Sequence, residues 1–87
     1  MPQEYHIVHN KELMHFEIHE SNEIAFLEYR FYKNDIAFMH TEVPKSMEGK
    51  GAASALVAYA FQYAKQIDKP VMVYCPFVSV YVKRHPE

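Results

Sequence analysis

The fold of this chain is decided by residues 48–67, EGKGAASALVAYAFQYAKQI, in which a glycine turn leads into a long apolar segment. After the turn, apolar residues recur at spacings of three and four. They are Ala53, Leu56, Val57, Ala60, Phe61, Ala64 and Ile67. Such spacing places them on one stripe of an α-helix. The sequence therefore predicts a helix from Gly51 to Ile67 whose apolar stripe covers a sheet.

Upstream of the turn, short alternating segments bounded by turn residues predict four consecutive antiparallel strands. The third has the clearest pattern, with Ala25, Leu27, Tyr29 and Phe31 on one face. Asn34-Asp35 tolerates the positive φ of a tight hairpin turn, and Pro44 ends the fourth strand. The predicted strands cover residues 5–8, 13–19, 24–32 and 36–43.

Downstream of the helix, the apolar run at residues 71–74 lies between Pro70 and Pro76, and it predicts a strand that is buried on both faces. The intervening helix makes a crossover, so this strand runs parallel to the fourth. The apolar residues within 77–84 predict a short second helix, and Pro76 is favourable at a first helical position. The expected fold class is α/β (α+β), with a mixed, mostly antiparallel sheet of about five strands in the order β-β-β-β-α-β-α.

Composition limits the classes of protein to which the chain can belong. Its 87 residues, 49% apolar, suffice for one core, so residues 1–87 are expected to form a single domain. A net charge of −2 without a basic stripe argues against nucleic acid as a partner. Neither a signal peptide nor an apolar run of roughly 18 residues is present, which predicts a cytoplasmic protein that does not bind membranes. A single cysteine, Cys75, fits a reducing compartment.

The glycine turn is a candidate anion site. Both glycines of the chain, Gly49 and Gly51, lie here, and Lys50 between them adds a cation. Glycine lets backbone approach a ligand closely, and the N–H groups of a first helical turn favour an anion. The spacing excludes the P-loop and the dinucleotide fingerprint. Judged alone, the two glycines are also compatible with a plain loop.

The chain resembles the minimal YjdJ-type branch of the GNAT acetyltransferase superfamily in segments that cover about half of it. These segments are HTEVP at 40–44, EGKGAASALV at 48–57, YCPFV at 74–78 and KRHP at 83–86. In that superfamily the acetyl-CoA pyrophosphate rests on a turn of the form Arg/Gln-x-x-Gly-x-Gly/Ala. Gly51 and Ala53 match its small positions, whereas Glu48 replaces the Arg or Gln and brings a like charge near the phosphates.

The resemblance implies that acetyl-CoA is the cosubstrate and that its pantetheine arm lies along Thr41 to Val43, where the two parallel strands splay apart. Longer GNAT enzymes continue with further strands, so the acceptor pocket is expected to be open or completed by a partner, for which a homodimer is one arrangement. The residues expected to bind the cosubstrate are Thr41, Val43, Gly49, Lys50, Gly51, Ala52, Ala53, Ser54, Phe77, Tyr81 and Lys83.

Three side chains are candidates for catalysis. Histidine is the side chain that most often acts as a general base, which makes His40 a candidate, and Glu42 on the same strand face can orient its ring or act as the base itself. Cys75 precedes the short helix, where the dipole favours a thiolate, so it is a candidate nucleophile or acyl relay. The alternatives also stand: His40 and Glu42 as ordinary polar-face residues, and Cys75 as a small buried apolar residue.

No metal site is expected. His15 and His19 share a strand face but stand about 13 Å apart along it, too far to bind one ion together. Glu17, Glu20, Glu23 and Glu28 are expected on a solvated face. The predicted function is acetyl-CoA-dependent transfer of an acetyl group to an unidentified amine, either a small molecule or a protein. The alternative is a non-catalytic acyl-CoA sensor or interaction module.

Overall fold

The computed structural model of the chain describes residues 5–84, without the side chains of Phe77, Tyr81, Val82 and Arg84. Five strands and two α-helices follow one another in the predicted order. They are β1 (Val8–Asn10), β2 (His15–Glu20), β3 (Glu23–Tyr32), β4 (Asp35–Glu42), α1 (Ala52–Gln66), β5 (Val71–Val73) and α2 (Pro76–Arg84), with a short 3-10 helix, Lys45–Met47, before α1. The predicted fold class and element order are therefore confirmed.

The sheet has the strand order β1-β2-β3-β4-β5. The pairs β1–β2, β2–β3 and β3–β4 are antiparallel, and β5 is parallel to β4, with Ile36 opposite Val71 and Phe38 opposite Val73. The parallel pairing agrees with the crossover that α1 provides. Among the described residues, no helix is long and apolar enough to cross a membrane.

Helix α1 packs on one face of the sheet and forms the core with it. Leu56, Val57 and Ala60 of the predicted stripe are fully buried, and Ala64 is 2% exposed. They pack against large apolar side chains of the sheet, which include Phe16, Leu27, Tyr29, Ile36 and Phe38. The 3.6-residue period therefore predicts the buried face of the helix correctly.

Several local predictions are wrong because they depend on neighbouring strands. Strand β1 lies at Val8–Asn10 rather than at residues 5–8, since its pairing with β2 begins at Val8. Strand β5 is half-buried rather than buried on both faces, because it lies at the edge of the sheet. Phe31 shares a face with Tyr29 as predicted, with ring centroids 5.4 Å apart, but it is 44% exposed because it lies at the end of β3. The β3–β4 turn places its positive φ, 56°, at Lys33.

A β-bulge in β4 changes which side chains share a face. Glu28 pairs with His40 and the next residue, Tyr29, pairs with Phe38, so Met39 is the extra residue. Beyond the bulge, Thr41 lies opposite the buried Leu27 and shares the α1 face with it. His40 and Glu42 therefore point to the opposite face of the sheet. The ring of His40 lies there near that of Phe26, with centroids 6.1 Å apart.

Candidate functional site

The parallel strands β4 and β5 separate halfway along β4. Their pairing ends at Phe38 and Val73, and the N–H of Tyr74 makes a last hydrogen bond of 3.0 Å to the Phe38 carbonyl. The chain then turns into α2, whereas β4 continues to Glu42. Within residues 5–84, this last part of β4 pairs with β3 alone. Its other edge is available to an extended ligand.

The glycine turn brings the N-terminus of α1 close to this open edge. Gly49 and Gly51 have φ values of +76° and +84°, in the left-handed region that glycine adopts without strain. Gly51 is the N-cap of α1, and its carbonyl accepts the first helical hydrogen bond, 2.9 Å, from the N–H of Ala55. The N–H groups of residues 52–54 precede that bond and point out of the helix end. Such an end is favourable for an anion.

A cleft of about 550 Å³ joins the open edge of β4 to the helix N-terminus. Its size falls in the range of ordinary small-molecule sites. The cleft is lined by His40, Thr41, Glu42, Val43, Met47, Glu48, Gly49, Gly51, Ala52, Ala53 and Ser54. Most of the predicted site residues therefore lie around one cavity, although they come from two separate stretches of sequence.

Other predicted residues do not line the cleft. Lys50 lies between the two glycines and is exposed outside the cleft, and Lys83 is exposed on α2. Phe77 and Tyr81 belong to α2 as well, but their side chains lie outside the described residues. Met47, which is 1% exposed, also lines the cleft, although the sequence did not predict it as a site residue. It lies in a short 3-10 helix whose three residues carry no periodic signal.

His40 and Glu42 form a pair at the cleft. Nε2 of His40 lies 3.1 Å from Oε1 of Glu42, and the two side chains are 56% and 62% exposed. An exposed pair of this kind contributes little to stability. It does give the imidazole a defined orientation: when Nε2–H donates to the carboxylate, Nδ1 is left as a proton acceptor.

Cys75 lies beneath the cleft and not in its wall. Its side chain is buried, 3% exposed, and its Sγ donates a hydrogen bond of 3.3 Å to Oγ1 of Thr41. Its carbonyl accepts the N–H of Ser79 at 3.1 Å, which places Cys75 at the start of α2 as predicted. Thr41 therefore lies between the thiol and the cleft. This burial resembles that of an apolar core cysteine, while the helix start is the position expected of a reactive one.

A second polar cluster lies away from the cleft, around Glu17. The expectation that Glu17 is solvated is wrong: the residue is 5% exposed. Its carboxylate contacts Nε2 of His19 at 2.8 Å, Nδ1 of His15 at 3.2 Å and Nδ2 of Asn10 at 3.2 Å. Burial by itself raises the pKa of Glu17, but the hydrogen bonds from His19, His15 and Asn10 outweigh it and lower the pKa. The two histidines thus bind a shared carboxylate.

Among the described residues, no group of three His, Cys, Asp or Glu side chains is arranged to hold a metal ion. The side chains and backbone of the cleft can hold an anion at the turn, accommodate an extended chain beside β4, and accept a proton at His40 or Glu42.

Comparison with known proteins identifies the family. A model of the GCN5-related N-acetyl-transferases matches residues 15–87, which is most of the chain. A search of curated protein sequences gave no match. The matched range contains the open edge of β4, the glycine turn and both α-helices. On this match, the chain belongs to the GCN5-related N-acetyl-transferase family.

Proposed function

We propose that the chain is an acetyl-CoA-dependent N-acetyltransferase of the minimal YjdJ-type branch, acting in the cytoplasm on an amine of a small molecule or a protein. The observation that carries this proposal is that one cleft connects the open edge of β4 with the N-terminus of α1. A pyrophosphate joined to a long amide-bearing arm needs these two features side by side.

In the proposed complex, the pyrophosphate rests on the N–H groups of Gly51 and of residues 52–54. The pantetheine arm runs along Thr41 to Val43 and exchanges backbone hydrogen bonds with β4 as an added strand would. Glu48 also lines the cleft and is exposed there. Because its charge has the same sign as the phosphates, it opposes binding, so we expect the affinity for acetyl-CoA to be modest.

In the proposed reaction, the amine nitrogen of the acceptor attacks the thioester carbonyl carbon. The new C–N bond forms, the C–S bond breaks, and CoA leaves with the electron pair of that bond as a thiolate. The amine loses one proton, which His40 accepts at Nδ1 while Glu42 holds Nε2–H. Alternatively, Glu42 accepts the proton itself.

Direct attack is the route that the geometry favours. A relay through Cys75 requires its sulfur to reach the thioester carbon, and the buried sulfur lies behind Thr41. The relay remains the second route, supported by the position of Cys75 at the start of α2. The two routes differ in whether an acetyl-enzyme forms, which can be measured.

Binding and turnover test the proposal separately. We expect acetyl-CoA to shift the backbone amide NMR signals of residues 49–54 and to leave those of β2 in place, because the turn supplies the anion site. A panel of primary amines should then give at least one acceptor that releases free CoA continuously. Unchanged signals at saturating acetyl-CoA would refute the carrier site. Shifted signals without CoA release from any amine would favour the acyl-CoA sensor.

Replacing Glu48 is predicted to raise the affinity for acetyl-CoA. Glu48→Arg should tighten acetyl-CoA binding by about tenfold, because it replaces a like charge with a donor to phosphate. The gain should shrink as salt is raised. Glu12→Arg is the matched control, since it makes the same charge change at an exposed turn residue that does not line the cleft. Equal affinities of the two variants would show that the side chain at 48 does not reach the phosphates.

A further inference from the structure

The N-terminal segment of the chain contacts the glycine turn. The hydroxyl of Tyr5 donates a hydrogen bond of 2.8 Å to the backbone carbonyl of Lys50, 45 residues away. The Tyr5 ring is half-buried and packs against the hydrophobic core, so the hydroxyl is held by an anchored side chain. The family match begins at residue 15, and Tyr5 precedes it. One partner of the contact, Tyr5, therefore lies outside the matched range, and the other, Lys50, lies within it.

This hydrogen bond acts on the peptide group between Lys50 and Gly51. In a trans peptide the C=O and N–H groups point in opposite directions, and the described chain has no cis peptide. Holding the Lys50 carbonyl towards Tyr5 therefore directs the Gly51 N–H away from Tyr5. Lys50 lies outside the cleft and Gly51 lines it. Tyr5 does not line the cleft either, so a carbonyl oxygen held towards Tyr5 is kept from turning into the cleft, where it would repel an anion.

The peptide needs such a restraint because glycines flank Lys50 on both sides. Gly49 and Gly51 can adopt a wider range of φ and ψ than other residues, which allows the peptide between them to rotate. If the turn becomes ordered only when the ligand binds, the conformational entropy lost in ordering it lowers the affinity of the protein for that ligand. A hydrogen bond from an anchored tyrosine reduces that loss before the ligand arrives.

We infer that Tyr5 is a positioning residue for the pyrophosphate turn, which it preorganises by holding the Lys50 carbonyl. The inference rests on the proposed function, since it assumes that the turn binds the pyrophosphate of acetyl-CoA. In this role Tyr5 acts through the backbone of the turn and does not contact the reacting atoms.

The test is Tyr5→Phe, which removes the hydroxyl and keeps the packed ring. NMR titration should show an acetyl-CoA dissociation constant about three- to tenfold higher than in the wild type, the size expected for one hydrogen bond. Binding of S-acetylpantetheine, which has no pyrophosphate, should be unchanged. The Gly51 amide signal of the unliganded protein should move. Tyr32→Phe is the matched control, because Tyr32 is an exposed tyrosine at the end of β3, 58% exposed.

Several outcomes would overturn the inference. Unchanged acetyl-CoA affinity in Tyr5→Phe would do so, as would an equal loss for acetyl-CoA and S-acetylpantetheine, since a general loosening of the fold affects both ligands. If the wild type itself fails to bind acetyl-CoA, the proposed function fails and the inference fails with it. That result is seen before any variant is made, so the two failures are distinguishable.

Discussion

Gly51→Val is expected to weaken acetyl-CoA binding by about a hundredfold, which corresponds to losing one or two hydrogen bonds to a charged group. Gly51 lies at φ +84°, where a branched side chain is strained, so the turn should leave the conformation that directs its N–H groups at the ligand. A Cβ at this position meets no protein atom within 4 Å. The side chain would therefore extend into open space beside the cleft and obstruct the ligand. Calorimetric titration of acetyl-CoA measures the effect.

Gly51→Asn is the control that separates strain from obstruction, because asparagine tolerates the left-handed region better than valine does. Loss of binding in both variants would indicate that any side chain at residue 51 obstructs the pyrophosphate. Loss of binding in the valine variant alone would indicate that backbone strain, and not obstruction, weakens binding. Thermal melts of both variants should show a fold that remains intact. Wild-type affinity in a folded Gly51→Val protein would mean that the turn is a plain loop.

His40→Ala is expected to lower kcat by about a hundredfold or more while leaving acetyl-CoA affinity nearly unchanged, because a general base contributes on this scale. Glu42→Gln should lower kcat less if the carboxylate only orients the ring, and more if it is the base itself. His6→Ala is the matched control, since His6 is exposed before β1 and does not line the cleft. Steady-state CoA release with the best acceptor amine measures all three. Full activity of His40→Ala and Glu42→Gln would remove both residues from the mechanism.

The same assay tests the second route. With direct attack, Cys75→Ala and Cys75→Ser should keep kcat within about tenfold of the wild type, and acetyl-CoA without acceptor should leave the intact mass unchanged. With the relay, the wild type should gain one acetyl group at Cys75, and neither variant should turn over. A serine variant that is more active than the alanine variant would point instead to the hydrogen bond to Thr41, since serine retains a donor.

Local patterning is enough to predict α1 and the order of the elements. Leu56, Val57 and Ala60 recur with the helical period, and the stripe they form is the buried one. The two glycines predict the turn for an equally local reason. Glycine adopts a positive φ without strain, and this depends on the residue itself and not on distant parts of the chain. The residues of the turn that line the cleft could be named for this reason, whereas Thr41 and Val43 were named from the resemblance to GNAT acetyltransferases.

The tertiary structure alone decided the directions and the burial of the remaining side chains. The bulge at Met39, which depends on how β4 pairs with β3, turns His40 and Glu42 to one face and Thr41 to the other. Cys75 is buried in the core, where its thiol meets Thr41, 34 residues earlier in the chain. The contact of Tyr5 with Lys50 joins two segments that no pattern in the sequence relates. A periodic pattern or a turn motif depends on neighbours within a few residues, so the sequence by itself determined the elements and the turn. Strand register, burial and contacts between distant residues depend on free energies of packing that arise only when the whole chain folds.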